Sequence, residues 1–205
     1  VAIFLCPEGW KFWAPLMATL AVIGIVYGAL AALSQTDLKF VVGYSSVSHM
    51  GIVGLGLSTR TVDGLNGAVF QMFAHGIMTA LFFSAIGYIY DRTHTKMIPE
   101  LGGLSRVMPK ASGYFILAAF AGIGVPCLAS FWGELVVFIA AFKTYPVAGV
   151  LAVGALVIGA VDRLVSIDAL PSTVWCTRRP SRVTCSRAPG SLPGSTYFSA
   201  RNRSS

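Results

Sequence analysis

The sequence predicts an all-α, polytopic membrane protein of about five transmembrane helices, one of them broken, and three observations predict it. Of 205 residues, 55% are hydrophobic and only 11% are charged, against roughly 25% charged in a soluble domain, and the mean hydropathy is +0.73. The apolar residues gather into stretches that match the roughly 20 helical residues needed to span a hydrocarbon core. Two glycines and a proline interrupt one of these stretches, in Gly122-Ile-Gly124-Val-Pro126. A chain so poor in charge cannot cover a globule with polar surface, so lipid is the solvent for much of it.

Length and the absence of charge, rather than periodicity, place the helices. The first is expected over about 12–33. The second follows the Ser34-Gln-Thr-Asp37 turn, over about 38–57, with Asp37 or Thr36 as its cap. The third runs over about 65–90, the fourth over about 113–142 and the fifth over about 147–161. Inside the fourth, the glycines and Pro126 should interrupt the hydrogen-bond ladder. Broken backbone at membrane depth is tolerated where it is buried in protein or lines a watered cavity, and it recurs at transporter sites; the plainer alternative is a proline kink. The small residues Gly24, Gly28, Gly122 and Gly124 permit close helix packing. Lys39 precedes or opens the second helix, and Arg92, Lys96, Arg106 and Lys110 lie between the third and fourth, while Lys11, Arg60 and Lys143 lie on the opposite side. This bias puts the first and third connections in the cytoplasm or its equivalent.

The chain divides into a transmembrane region, 1–161, and a polar tail, 162–205, rich in Ser, Arg and Pro. The first holds eight Lys or Arg against six Asp or Glu; the second holds seven Arg, no Lys and two Asp. The net charge of +7 therefore belongs mostly to the tail and does not describe a nucleic-acid surface. The tail composition is that of a disordered segment, and its abrupt onset and Lys-free basic content also fit a frameshift product. The first residues show neither an initiator Met nor a basic leader region, so the chain reads as part of a longer one. Cys6, Cys127, Cys176 and Cys185 form no metal or redox spacing. With no Gly-rich phosphate loop and no Ser/His/Asp set, the expectation is that no cofactor or metal binds in this chain.

Ionisable groups inside a bilayer cost about 2.5–3.5 kcal/mol each on insertion scales, so each prompts a functional question. Glu134 lies just past the break, flanked by Trp132 and by Leu135-Val-Val-Phe138. A carboxyl that gains and loses a proton there suits a proton carrier; the alternative is a glutamate held at the membrane surface by two short helices. His49 lies about twelve residues into the second helix, in the polar band Tyr44-Ser-Ser-Val-Ser-His49, and Ser45 and His49 share a face. In the third helix, Gln71, His75 and Thr79 recur at four-residue spacing as one polar stripe. Histidine titrates near physiological pH and can accept on one ring nitrogen while donating from the other, as a proton relay requires. Each histidine taken alone can also be a packing group, but Glu134, His49 and His75 on three helices are more telling. Lys39, beside Asp37, can end a proton path at the cytoplasmic surface or simply snorkel. Asp91, Arg92, His94 and Lys96 read as loop structure and partner contacts.

Six segments then occur in one order: Ser34-Gln-Thr-Asp-Leu-Lys39, Tyr44-Ser-Ser-Val-Ser-His-Met-Gly51, Gln71-Met-Phe-Ala-His-Gly76, Tyr90-Asp-Arg-Thr-His-Thr95, Gly102-Gly-Leu104 with Met108-Pro109, and Phe131-Trp-Gly-Glu134. Over about 12–160 the chain resembles the antiporter-like membrane subunits of proton-pumping NADH:quinone oxidoreductase, respiratory complex I, of the chain M (chain 4) type. The resemblance implies the second of two inverted five-helix repeats, with a discontinuous helix at Glu134. It implies that Glu134 is the terminal proton-channel glutamate, where sodium/proton antiporter subunits often carry lysine, and that His49 and His75 belong to the central hydrophilic axis. Phe40 departs from the family, which commonly has a second basic residue after the lysine. The implied function is proton translocation as a non-redox subunit of NADH:quinone oxidoreductase, a translocase driven by quinone reduction elsewhere. The implied partners are other membrane subunits, the lipid bilayer and protons, in a bacterial inner membrane. The rival expectations are a cation/proton antiporter subunit with no redox partner, and a non-functional truncated product.

Overall fold

The computed structural model describes residues 5–98, 101, 105, 108–172, 174–179 and 182–187. Helix α1, Pro7–Leu33, starts at a proline, whose missing N–H costs nothing in the first turn. Helix α2, Leu38–Ser58, is capped by Asp37, whose carboxylate accepts from the Lys39 N–H at 2.8 Å. Helix α3, Val62–Thr93, is capped by Thr61, whose hydroxyl oxygen accepts from the Gly64 N–H at 3.0 Å. Each of these three helices is long and apolar enough to cross a membrane.

The expected spans of α1 and α3 were too short, because polar residues that lie outside the apolar core still continue the hydrogen-bond ladder up to a cap. At the end of α3 the cap is His94, a non-glycine residue at φ 56. The Thr93 hydroxyl donates to the Ile89 carbonyl at 2.9 Å. The Arg92 guanidinium lies 5.3 Å from the Tyr88 ring centre and the Lys96 ammonium 4.5 Å from that of Tyr90. This motif is thus a built helix terminus, as its loop reading predicts.

The fourth span is broken where the sequence predicts. Helix α4, Pro109–Ile123, and helix α5, Ala129–Thr144, have 15 and 16 residues. At about 1.5 Å per residue neither reaches across a core of roughly 30 Å alone, and together they make one interrupted span. Gly124 ends α4 in the left-handed region, φ 81, which L side chains rarely adopt. Pro126, with no N–H to donate, lies in the non-helical link, and Cys127 beside it is exposed.

Helix α6, Pro146–Ser172, corrects the boundary at 161. The composition changes at 162, but no glycine or proline intervenes before Pro171, so loss of apolar character does not stop the helix. Strands β1, Val174–Arg179, and β2, Arg182–Arg187, then pair antiparallel, with Val174 opposite Arg187. Together these elements correct the expectation of disorder over 162–172, 174–179 and 182–187. The β-branched Val174, Thr177, Val183 and Thr184 suit strands, a local preference that a composition count hides. The remainder of the tail lies outside the described residues, as does the Gly102-Gly-Leu104 motif.

Helices α1 and α2 pack backbone to backbone. A Cβ on Gly28 would meet the Ser48 nitrogen at 2.7 Å, so glycine sets this approach; a Cβ on Gly24 would meet nothing within 4 Å, and its expected packing role does not hold. The Leu38 N–H donates to the Lys96 carbonyl at 3.0 Å and the Ile98 N–H to that of Thr36 at 2.9 Å. The connections after α1 and α3 therefore lie at one end of the bundle, the arrangement the loop charges predict. Two apolar cores result. One joins Leu38 and Val42 of α2 with Met78 to Ile89 of α3 and with α4. The other joins α1, the Ile52 and Leu55 end of α2, α5 and α6.

Candidate functional site

The polar residues collect where the two cores meet. Along α2 the order is Val42 in one core, His49 between, and Ile52 in the other; along α3, Gln71 and His75 precede Met78. Glu134 is supplied by the second turn of α5 and is 3% exposed, with His49 at 4% and His75 at 7%. Its Oε1 lies 3.0 Å from His49 Nδ1. The same Oε1 accepts from the Gln71 side-chain N–H at 3.1 Å. The His49 and His75 rings are 5.4 Å apart, centre to centre, tilted by 37°. Three helices thus converge on one carboxyl oxygen.

The local sequence explains the convergence. A Cβ on Gly133 would lie 3.0 Å from Gln71 Cα, so the absent side chain lets α5 settle onto α3 and carry Glu134 with it. The break does the rest. The left-handed Gly124 turns the backbone away after α4, and a Cβ there would lie 3.0 Å from Glu134 Oε2. The carboxyl is therefore flanked by side chains through one oxygen and by the broken backbone through the other. This placement removes the surface alternative for Glu134.

Beside His49 is a cavity of about 20 Å³ bounded by Ser45, Ser48, Gly122 and the α6 residues Ala155 and Gly159. That space accommodates about one water, and its hydroxyls and imidazole offer the polar partners a water needs.

The expected polar bands are only partly assembled into the site. Ser45 and Ser46 hydroxyls both donate to the Val42 carbonyl of their own helix, at 3.1 and 2.9 Å. Ser48 instead crosses to α1 and donates to the Ile25 carbonyl at 3.1 Å. Thr79 donates to the His75 carbonyl at 2.8 Å, so the stripe on α3 contributes Gln71 and His75 to the cluster but not Thr79. Lys39 is exposed at the start of α2, ten residues and about 15 Å of helix from His49, outside the cluster. Gln71, which sequence reasoning placed in the polar stripe but gave no role of its own, is fully buried. Its four-residue spacing from His75 is the available signal; nothing in the sequence pairs it with Glu134.

Comparison with known proteins bears on the family and the fold. The family described as NADH:quinone oxidoreductase/Mrp antiporter, TM, matches residues 2–159. NAD(P)H-quinone oxidoreductase chain 4 of a Synechococcus strain is 46% identical over 132 residues, which are 64% of this chain and 25% of that protein. NADH-quinone oxidoreductase subunit M of Rickettsia conorii is 37% identical over 160 residues, 78% of this chain and 32% of that protein. A chain of respiratory complex I from Thermus thermophilus with bound NADH superposes with a TM-score of 0.81 at 30% identity, over 89% of this chain and 38% of that one. The chain thus spans about a quarter to a third of the length of the curated relatives it matches.

Proposed function

Because this chain belongs to the NADH:quinone oxidoreductase/Mrp antiporter transmembrane family, we propose that it is the proton-carrying part of an antiporter-like subunit of NADH:quinone oxidoreductase. Glu134 takes up and releases the proton, and His49 and His75 relay it. The observation that carries this reading is the buried contact of Glu134 Oε1 with His49 Nδ1 at 3.0 Å, with the His75 ring 5.4 Å from that of His49. Buried ionisable groups that face one another inside a helical membrane bundle mark ion and proton pathways.

The chemistry is a proton hop. A protonated His49 Nδ1 is within hydrogen-bonding distance of the carboxylate and can transfer its proton to Oε1, leaving a neutral ring and a neutral carboxylic acid. His75 recharges His49, through a water where the ring nitrogens do not meet. Lys39, at the far end of α2, serves the cytoplasmic end of the path. Moving one charge against 100 mV costs about 2.3 kcal/mol, and in this reading the energy comes from quinone reduction in another subunit, without a redox group in this chain. The chain would work beside other membrane subunits in a bacterial inner membrane, which the bacterial relatives support.

The test is Glu134→Gln in the full-length subunit within its assembled complex, with proton pumping followed in membrane vesicles. Pumping is expected to fall at least about 100-fold, as for loss of a positioned proton-transfer group. Pumping at the parent rate with normal assembly overturns the proposal. The family also includes Mrp antiporters, which supports a second reading, cation/proton exchange without a redox partner. Sodium-dependent proton movement that needs no NADH oxidation would select it.

A further inference from the structure

Resting on the proton-carrier reading of Glu134, we propose that Gln71 is the positioning residue that holds this carboxyl in both of its protonation states. It donates from Nε2 to the carboxylate and, after its amide has turned over, accepts at Oε1 from the carboxylic acid.

Three observations carry this. Gln71 is fully buried and its Nε2 donates to Glu134 Oε1 at 3.1 Å, which suits a carboxylate, because an ionised carboxyl only accepts. Gln71 Oε1 is buried and accepts no hydrogen bond from any described residue, although a buried acceptor left unmet is destabilising. And the amide oxygen lies over Gly133, where a Cβ would come within 2.6 Å of it; the glycine leaves the space in which the amide can rotate. The final torsion of glutamine is broad and roughly two-fold, so exchanging the two ends of the amide needs no helix movement.

The bookkeeping of one transfer is simple. The proton leaves His49 Nδ1 and binds Glu134 Oε1; His49 becomes neutral and the carboxyl becomes a donor. The amide N–H has then lost its charged acceptor, while the unmet Oε1 of the same amide can accept the new O–H. Turning the amide satisfies both groups and directs the acid proton away from His49, which opposes its return. When the proton departs, the carboxylate again demands a donor and the amide turns back. A side-chain amide suits this task because it is uncharged and carries its donor and its acceptor on separate atoms of one rotor. Among the described residues, the titratable groups facing this carboxyl are His49 on α2 and His75 on α3. Helix α4 carries Lys110 and Tyr114, both exposed, and the described side chains of α6 carry none.

The experiment uses the assembled complex carrying the full-length subunit. Gln71→Met keeps the volume and removes both hydrogen bonds. Gln71→Glu keeps the shape, but donates only while it holds a proton. Infrared difference spectra across a pH jump report the Glu134 carboxyl band, identified by its loss in Glu134→Gln. In the unsubstituted complex labelled with glutamine isotopes, a side-chain amide band should change together with that carboxyl band. In Gln71→Met the carboxyl band should move to the higher wavenumber of an unbonded acid, and pumping should fall about tenfold. In Gln71→Glu, pumping should decline more steeply with rising pH than in the parent. If Glu134→Gln abolishes pumping while the amide band is silent and Gln71→Met keeps the parent carboxyl band and pH profile, the inference is overturned and the proton-carrier reading stands. Parent-level pumping by Glu134→Gln overturns both. The isotope measurement needs no Gln71 variant, so if either Gln71 substitution fails to assemble, a silent amide band alone overturns the inference.

Discussion

Two small voids on the same face of α2 have opposite chemistry. One, of about 10 Å³, is enclosed by Leu38, Val42, Phe82, Phe115 and Ala119, with Ser45 at its edge. The other, of about 20 Å³, lies beside Ser45, Ser48 and His49. The first is built by large side chains meeting across α2, α3 and α4, with the Phe82 and Phe115 rings edge to face at 5.3 Å. The second lies where helices approach closely over glycines and the fourth span is broken. An apolar void of that size stays dry, whereas a polar one of similar size holds water. The difference teaches that one bundle holds two environments: side-chain volume seals one half, and missing side-chain volume brings the titratable groups together in the other.

Substitutions that exchange the two properties test this contrast. The largest effect on stability is expected in the sealed half. Phe115 is 2% exposed, and Phe115→Ala should cost about 3–5 kcal/mol, read as a lower midpoint in denaturant unfolding of the solubilised complex. A loss confined to proton movement, with stability intact, would break the contrast. Next comes the half that gathers the titratable groups. His49→Gln keeps an amide that can reach Glu134 but cannot carry a proton onward. It should reduce pumping on the order of 100-fold, about 2.7 kcal/mol at 1.36 kcal/mol per tenfold, while stability changes little. The smallest effect is expected at the α1–α2 contact. A Cβ on Gly28 would press on the Ser48 nitrogen at 2.7 Å and on the Tyr44 carbonyl at 2.9 Å, both backbone atoms that cannot swing aside. Gly28→Ala should therefore cost about 1–3 kcal/mol, as overpacking does. If the thermal midpoint does not move, close approach is not what fixes α2 against α1.

Much of the fold was legible because the membrane imposes it. Long apolar stretches, the Asp37 cap and the glycine–proline interruption each act through neighbours in the chain, so a local reading finds them. The end of α6 was misjudged because hydropathy reports where lipid contact stops, whereas a helix ends only where its hydrogen-bond ladder does. The hairpin over Val174–Arg187 was missed because an average over the tail conceals short strand-forming runs.

The sequence by itself determined which groups are costly in a membrane: Glu134, His49 and His75, each an ionisable residue in an apolar stretch. It also marked an interruption beside one of them at Gly122, Gly124 and Pro126, and the structure decided that this is a break between two helices rather than a kink. Only the tertiary structure decided that Glu134 faces His49 rather than lipid, that Lys39 stands outside the cluster, and that Gln71 shares the same carboxyl oxygen. The physical reason is the range of the interactions. Cost of burial and helix propensity are properties of a residue and its immediate neighbours. A hydrogen bond between Gln71 and Glu134, 63 residues apart, exists only because Gly133 lets α5 rest on α3, and no pattern along either helix records the partner against which it will pack.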